Sequence, residues 1–213
     1  MWYRIIKRII DLVSTIILLI IFSPILIVSA IFIKITSRGP VFADTPKRVG
    51  LGGKHFYAYK FRTMIPNAYE LLRKDPRFAR AYKEQQEAGN YKIMNDPRVT
   101  SVGRILRKHS IDEIPQLFNV LKGEMSLVGP RPYYEEELIK QQRKYPGTRE
   151  LVKEVLTVKP GITGFWQVSG RSEVTFDKRI EMDAYYARKK SVWLDLLILA
   201  KTPWVMVSGK GAA

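Results

Sequence analysis

LVSTIILLIIFSPILIVSAIFI, residues 12–33, is the stretch that decides the fold: its 22 consecutive residues carry no charge, and roughly 20 apolar residues are what a helix needs to cross a bilayer core. The run is too long for a secretory leader and no small-residue cleavage site precedes the basic segment behind it, so it is expected to remain in the protein. Ser23-Pro24 stands at its midpoint. Pro24 has no backbone donor and its ring crowds the preceding turn, which predicts a kink or break there. Arg4, Lys7 and Arg8 flank one end and Lys34, Arg38, Lys47 and Arg48 the other. A straight span would export one basic flank against the positive-inside preference. A helix that enters, breaks at Ser23-Pro24 and returns keeps both flanks on the cytoplasmic face, beside anionic lipid headgroups. An ordinary spanning helix with a proline kink is the alternative. Lys7 and Asp11 lie at i and i+4, which suits either an ion pair at the interface or a solvated helix end.

Outward from this run the chain divides into a membrane unit, residues 1–38, and a cytoplasmic domain, residues 39–213, ending in an interfacial helix. With 46% hydrophobic residues, 213 positions fill one core and not two. A formal charge of +16 points to polyanions, whether nucleic acid, anionic lipids or phosphorylated substrates. The absence of cysteine removes disulfides and thiolate metal sites, and two histidines leave little for zinc. A hard, oxygen-bound cation fits better.

The fold class is α/β, mainly helical with a small β-hairpin. VFADTPKRV (41–49) and KHFYAYKFR (54–62) read as two strands around GLGG (50–53), with Tyr57, Tyr59 and Phe61 on one face. The glycines lack phosphate-loop spacing and read as a turn. Asn67-x-x-Glu70 has the form of a capping box, Asp75-Pro76 restarts a helix ending near Gly89, and Asp96-Pro97 opens a segment with Val99, Val102, Ile105 and Leu106 at helical spacing. Further helices are predicted at 133–144, 175–190 and 192–207. The last carries Trp193 and Trp204 together with Asp195 and Lys201, a mixture suited to the interface.

Ser110 to Gln116, SIDEIPQ, carries the chemistry. Two adjacent carboxylates, Asp112 and Glu113, follow Arg104, Arg107, Lys108 and His109. Ser110-x-x-Glu113 is itself a capping-box pattern, but that register puts Pro115 at the fifth helical position, where its missing donor is unfavourable. Placing Pro115 in the first turn moves both carboxylates to the entrance of a helix that stops at Gly123. There the helix dipole favours an ionised carboxylate or a metal-bound phosphate. Arg107, and Arg131 on the stiff loop GPRP (129–132), have the fork geometry for phosphate; facing anionic lipid is their other reading.

The segment SVGRILRKHSIDEIPQLFNVLKGEMSLVGPRP (101–132) resembles the signature of the bacterial sugar transferase family, the monotopic phosphoglycosyl transferases. The likeness extends through Lys7-x-x-x-Asp11, Ser23-Pro24, KFRTM (60–64), DPRVTSVG (96–103) and PGITGFWQVSGRS (160–172). It implies a re-entrant helix broken at Ser23-Pro24, supported by Lys7 and Asp11, on the cytoplasmic face of the bacterial inner membrane. It also implies a catalytic pair, Asp112 and Glu113, with Mg²⁺ at Asp112. The implied reaction has two steps: Asp112 attacks the sugar-linked phosphate of a UDP-sugar, uridine monophosphate leaves, and undecaprenyl phosphate takes the phosphosugar. Glu113 would serve as base or metal partner. Arg107, Arg131, Arg171 and Asp183 would contact substrate, the last two from the C-terminal region; Gly161 and Gly164 read equally as turn formers. Gly-Phe-Trp-Gln at 164–167 is similar to the branch that begins exopolysaccharides and O-antigens with a hexose phosphate. No nucleic-acid module is recognisable, so nucleic acid is not an expected partner, although a membrane-tethered nucleic-acid binder and an inert scaffold of polysaccharide assembly are the rival classes. A homodimer through the C-terminal part is left open.

Overall fold

The computed structural model describes residues 2–88, 93, 96–169 and 174–207. The apolar run lies within one helix, α1 (Trp2–Thr36), and among the described residues this helix alone is long and apolar enough to cross a membrane. Most of its isoleucines face outward: Ile20 is 69% and Ile21 60% exposed. What α1 buries is Asp11, Thr15, Ser29 and Ile33, a stripe at helical spacing turned toward the rest of the protein. The helix continues on both sides of Pro24. Ser23 Oγ donates to Ile20 O at 2.8 Å, and Ile20 O is the carbonyl that Pro24, lacking N–H, cannot serve.

The predicted hairpin forms, though its paired strands are short. β1 (Arg48–Val49) runs antiparallel to β2 (His55–Phe56) around the GLGG turn, and a Phe42–Phe61 bridge closes its base. Helices α2 (Ala68–Lys74) and α3 (Ala79–Ala88) follow; the Asp75 carboxylate accepts from Arg77 N, as a helix start at Asp75-Pro76 requires. The Asn67 capping box does not form: Asn67 sits at φ 56° and its side chain caps nothing. α4 (Ser101–Lys108) is capped by Thr100 Oγ1, which accepts from Gly103 N at 2.9 Å. Gly103 lets α4 lie directly on the chain at Thr63, where a Cβ would come within 2.0 Å of a carbonyl oxygen. A 3₁₀ segment, Ile111–Gln116, then leads into α5 (Leu117–Lys122), which ends at Gly123 with φ 81°.

Beyond the dyad the chain makes β3 (Ser126–Val128), β4 (Tyr133–Tyr134), α6 (Glu135–Lys144), α7 (Arg149–Val155), β5 (Gly161–Thr163), α8 (Phe165–Ser169), α9 (Phe176–Lys189) and α10 (Val192–Val207). β4 adds to β1, making the order β2-β1-β4, and β3 pairs parallel with β5. That parallel pair, α7 and α8 have no periodic signal strong enough to read in the sequence. Gly161 is not a turn former: a Cβ there would lie 2.1 Å from Gly129 N, so the glycine permits the 129–132 loop and the 160–164 segment to touch backbone to backbone.

Two cores result. One joins Leu117, Val120, Met125, Leu127, Tyr186 and Ile198, with Leu18 and Leu19 of α1 packed on it. The other joins Val49, Tyr133, Leu138, Val152, Phe176 and Ile180. Further along α1, Leu26, Ala30 and Ile33 pack with Phe61 and Leu106. Each end of α1 is also tied by charge. Arg8 donates to the last carbonyls of α5, Val120 O (2.6 Å) and Leu121 O (2.9 Å), where a cation complements the helix dipole. Arg62 donates to the carbonyls of Ser37, Arg38 and Pro40 just past the helix end. The Lys7–Asp11 pair is no solvated helix end. Lys7 Nζ lies 3.4 Å from Asp11 and 3.1 Å from Asp195 of α10, and Asp11 accepts from Ser126 Oγ and Leu127 N. Asp195 therefore faces inward, while Trp193 (70% exposed) and Trp204 (77%) form the outward face of α10.

Candidate active site

The 3₁₀ segment begins after Ser110, whose φ of 55° reverses the chain out of α4. Ser110 caps nothing with its side chain; its carbonyl accepts from Glu113 N instead. The capping-box reading of Glu113 therefore fails, as Pro115 implied, although Pro115 lies in the 3₁₀ segment and not in the helix proper. The backbone at Asp112 is pinned from the other side, because Asp112 O accepts from Phe61 N at 3.0 Å. Side chains alternate along 59–61: the rings of Tyr59 and Phe61 both lie against Phe42, while Lys60 reaches the dyad.

The two adjacent carboxylates have different surroundings. Lys60 Nζ is 2.5 Å from Glu113 Oε1. Burial alone would raise the Glu113 carboxyl, but the Lys60 charge and hydrogen bond, with Arg131 and Arg48 behind them, outweigh it and hold Glu113 below the usual range. Asp112 is 8% exposed. Burial pushes its carboxyl up to about 6, and Glu113 adds to the shift against the opposing pull of Lys60 and Arg107. Both carboxylates were expected to be favoured in the ionised form by the helix entrance; Glu113 is, whereas burial makes Asp112 the more basic of the two, because its loss of solvation outweighs the nearby cations.

Arg107 donates through Nε to Thr63 Oγ1 at 2.9 Å, on the same stretch of chain that carries α4. Arg131 stands with its guanidinium 5.8 Å from the Trp166 ring, and its backbone N–H donates to Asp183 Oδ2 at 3.2 Å. Asp183 is fully buried behind Arg131, where Tyr133 Oη also donates to it at 2.9 Å. Burial raises its carboxyl to about 7, with Tyr133 and the Arg131 backbone opposing. The structure thus gives Asp183 contacts to the loop that presents Arg131 and no open face of its own. Arg171 lies outside the described residues.

Sequence reasoning missed two cations. Lys60 belongs to the KFRTM motif but was not singled out; its opposite placement to Tyr59 and Phe61 was the available signal. Arg48 was read only as a basic flank of the membrane run. It is 6% exposed, stacks 3.3 Å above the Tyr134 ring and donates to Pro132 O at 3.0 Å, and its charge reaches Glu113. No local pattern announces this, because Tyr134 and Pro132 arrive through the β1–β4 pairing.

Four cations thus surround two carboxylates, a balance suited to a phosphate-bearing ligand. Among the described residues no three acidic or histidine side chains gather into a metal cluster. A divalent cation would rest on Asp112 and Glu113 with ligand oxygens completing the shell, which is the arrangement Mg²⁺ favours.

The profile of the family described as "Bacterial sugar transferase" matches residues 2–209. The chain is 45% identical to an undecaprenyl-phosphate galactose phosphotransferase of Salmonella typhimurium, covering 98% of this chain and 42% of that protein. It is 40% identical to a UDP-galactose-lipid carrier transferase of Erwinia amylovora, again over 98% and 42%. With the exopolysaccharide production protein ExoY of Rhizobium meliloti the identity is 40% over 92% of this chain and 83% of the relative. The chain spans less than half the length of the first two of these curated relatives. The match over residues 2–209 places this chain in the bacterial sugar transferase family.

Proposed function

We propose that this chain transfers a sugar 1-phosphate from a UDP-sugar to undecaprenyl phosphate through a phosphosugar bound to Asp112. The observation that carries the reading is the division of labour in the dyad: Glu113 is neutralised by Lys60, while Asp112 is buried, basic for a carboxylate and, among the described residues, has no side chain ion-paired to it. An Asp112 oxygen attacks the sugar-bearing phosphorus; the bond from that phosphorus to the bridging oxygen breaks, and uridine monophosphate carries that oxygen away. A phosphate oxygen of the lipid acceptor then attacks the same phosphorus and returns Asp112 as a carboxylate. Arg107 and Arg131 would bind the non-bridging oxygens, and Lys60 and Arg48 keep Glu113 ionised. Mg²⁺ held by Asp112 and Glu113 would offset charge on the transferring phosphate. The names of relatives cover galactose, glucose and N-acetylgalactosamine, so the sugar is left unassigned.

The chain acts from the cytoplasmic face of the inner membrane, with α1 re-entrant and residues 39–213 in the cytoplasm. This reading is supported by where α1 docks. Residues before Pro24 (Arg8, Asp11, Leu18) and after it (Leu26, Ile33) contact the same charged body. A straight span would drag that body through hydrocarbon. The exposed Trp193 and Trp204 suit an interfacial α10.

Release of uridine monophosphate from a panel of UDP-sugars, with Mg²⁺ and undecaprenyl phosphate, tests the chemistry. One sugar should react, and Asp112→Asn should lower turnover at least about 10³-fold; no release from any sugar overturns the reading. Single cysteines replacing Arg4 and Arg38 should both resist labelling from outside intact spheroplasts, and labelling of either one removes the re-entrant topology.

A further inference from the structure

Beside the dyad lies a groove of about 340 Å³ with no polar lining, walled by Leu26, Ile27 and Ala30 of α1, by Phe42 and Phe61, and by Phe118 of α5. We infer that this groove holds the first isoprene units of the acceptor lipid, so that the acceptor's tail positions its phosphate against Asp112. The inference rests on the proposed reaction and adds where the hydrocarbon goes.

Five observations choose this occupant. The groove is continuous with the reactive segment: Phe61 N bonds Asp112 O, and Pro115, three residues past Asp112, also lines it. Its walls offer no hydrogen bond, so water gains nothing by filling it and an apolar chain does. One wall is the part of α1 just beyond Pro24, whose outer side is already apolar and exposed: Ile27 is 61% and Val28 50% exposed, so a lipid tail enters sideways from the bilayer without crossing a polar rim. The rings at the base are ordered, with Phe42 stacked on Phe61 at 5.9 Å and edge-on to Tyr59 at 6.1 Å, giving a fixed surface for branched isoprene units. Lys60, between Tyr59 and Phe61 in the chain, meets Glu113 on the opposite side. One stretch of chain thereby separates a charged end from an apolar one, matching a molecule that is a phosphate at one end and hydrocarbon at the other. The volume suits a few isoprene units and leaves the remainder of the chain in the bilayer.

The test is a photolabelling comparison in liposomes. Undecaprenyl phosphate with a diazirine in its second isoprene unit should label the peptides containing Ala30, Phe42 and Phe118. Phosphatidylethanolamine with a diazirine on an acyl chain should label the outer face of α1 around Ile20 and Ile21 instead. Ala30→Trp, which fills the groove, should lower groove labelling at least tenfold. The same variant should cut the preference for undecaprenyl over geranyl phosphate, measured as a ratio of kcat/KM, by at least tenfold. Equal groove labelling by both probes, or an unchanged preference in a folded Ala30→Trp, overturns the inference. If wild-type protein releases no uridine monophosphate from any donor, the proposed reaction falls, and the labelling pattern still decides the groove. Should Ala30→Trp fail to fold, Phe42→Ala, which widens the groove, should likewise lower the long-chain preference.

Discussion

Two clusters in this protein each centre on a lysine beside two carboxylates, and they differ in burial and in how the carboxylates are served. At the root of α1, Lys7 lies between Asp11 and Asp195, and both carboxylates are served by further donors: Ser126 Oγ and Leu127 N for Asp11, Tyr3 and Tyr186 hydroxyls for Asp195. At the dyad, Lys60 is committed to Glu113, and among the described residues no side chain donates to the Asp112 carboxylate. A satisfied cluster fastens elements together; an unsatisfied one keeps a group available for reaction. On the proposed reaction, the same residue types are a fastener in one place and a reactive centre in the other because of how many donors the fold delivers.

That comparison breaks first if Lys7 proves dispensable. Lys7→Met leaves two buried carboxylates without their cation and should destabilise the protein by about 3–5 kcal/mol, read as a fall in unfolding midpoint in micelles. Lys60→Met should act the other way round, with little loss of stability because Glu113 is partly exposed, but a fall in turnover of about 10²-fold. Its pH profile sharpens the point. Turnover in the wild type should fall about tenfold per unit below an apparent pKa near 6, the value to which burial raises Asp112. Lys60 lowers both carboxyls, so its removal should move that acidic limb to higher pH.

Asp112→Asn tests the other half of the contrast through stability. Folding raises the Asp112 carboxyl from 3.8 to about 6, so this group favours the folded state below pH 3.8 and loses that contribution as pH rises to 6. Asparagine cannot ionise. The variant should therefore match the wild type near pH 4 and exceed it by about 2–3 kcal/mol at pH 8, in urea unfolding without Mg²⁺. A variant less stable at pH 8 would mean that Asp112 is a fastener after all. The smallest effect expected is at Ser23→Ala, about 1 kcal/mol, from leaving Ile20 O without a donor in lipid.

Much of this fold is legible residue by residue. The charge-free run needed only its length, and the helix start at Asp75-Pro76 and the stop at Gly123 follow from chemistry within one turn, whereas the helical segment expected to open at Asp96-Pro97 begins only after Thr100. The Asn67 capping box misled because its residue sits in the left-handed region, where its side chain caps nothing. In the site, Asp112, Glu113, Arg107 and Arg131 were identifiable from sequence, whereas Arg48 was not, since it enters by a strand pairing with residues more than eighty positions away.

The sequence by itself determined a membrane-associated, mainly helical protein with two adjacent carboxylates at a turn between helices, because apolar length, proline and glycine act over a few residues. Only the tertiary structure decided which carboxylate is left unpaired, that Asp183 lies behind Arg131, and that Tyr3 and Asp195, 192 positions apart, close one network. Desolvation and pairing depend on what folds over a group, and nothing within a turn of Asp112 specifies that Lys60 will answer Glu113 and not Asp112.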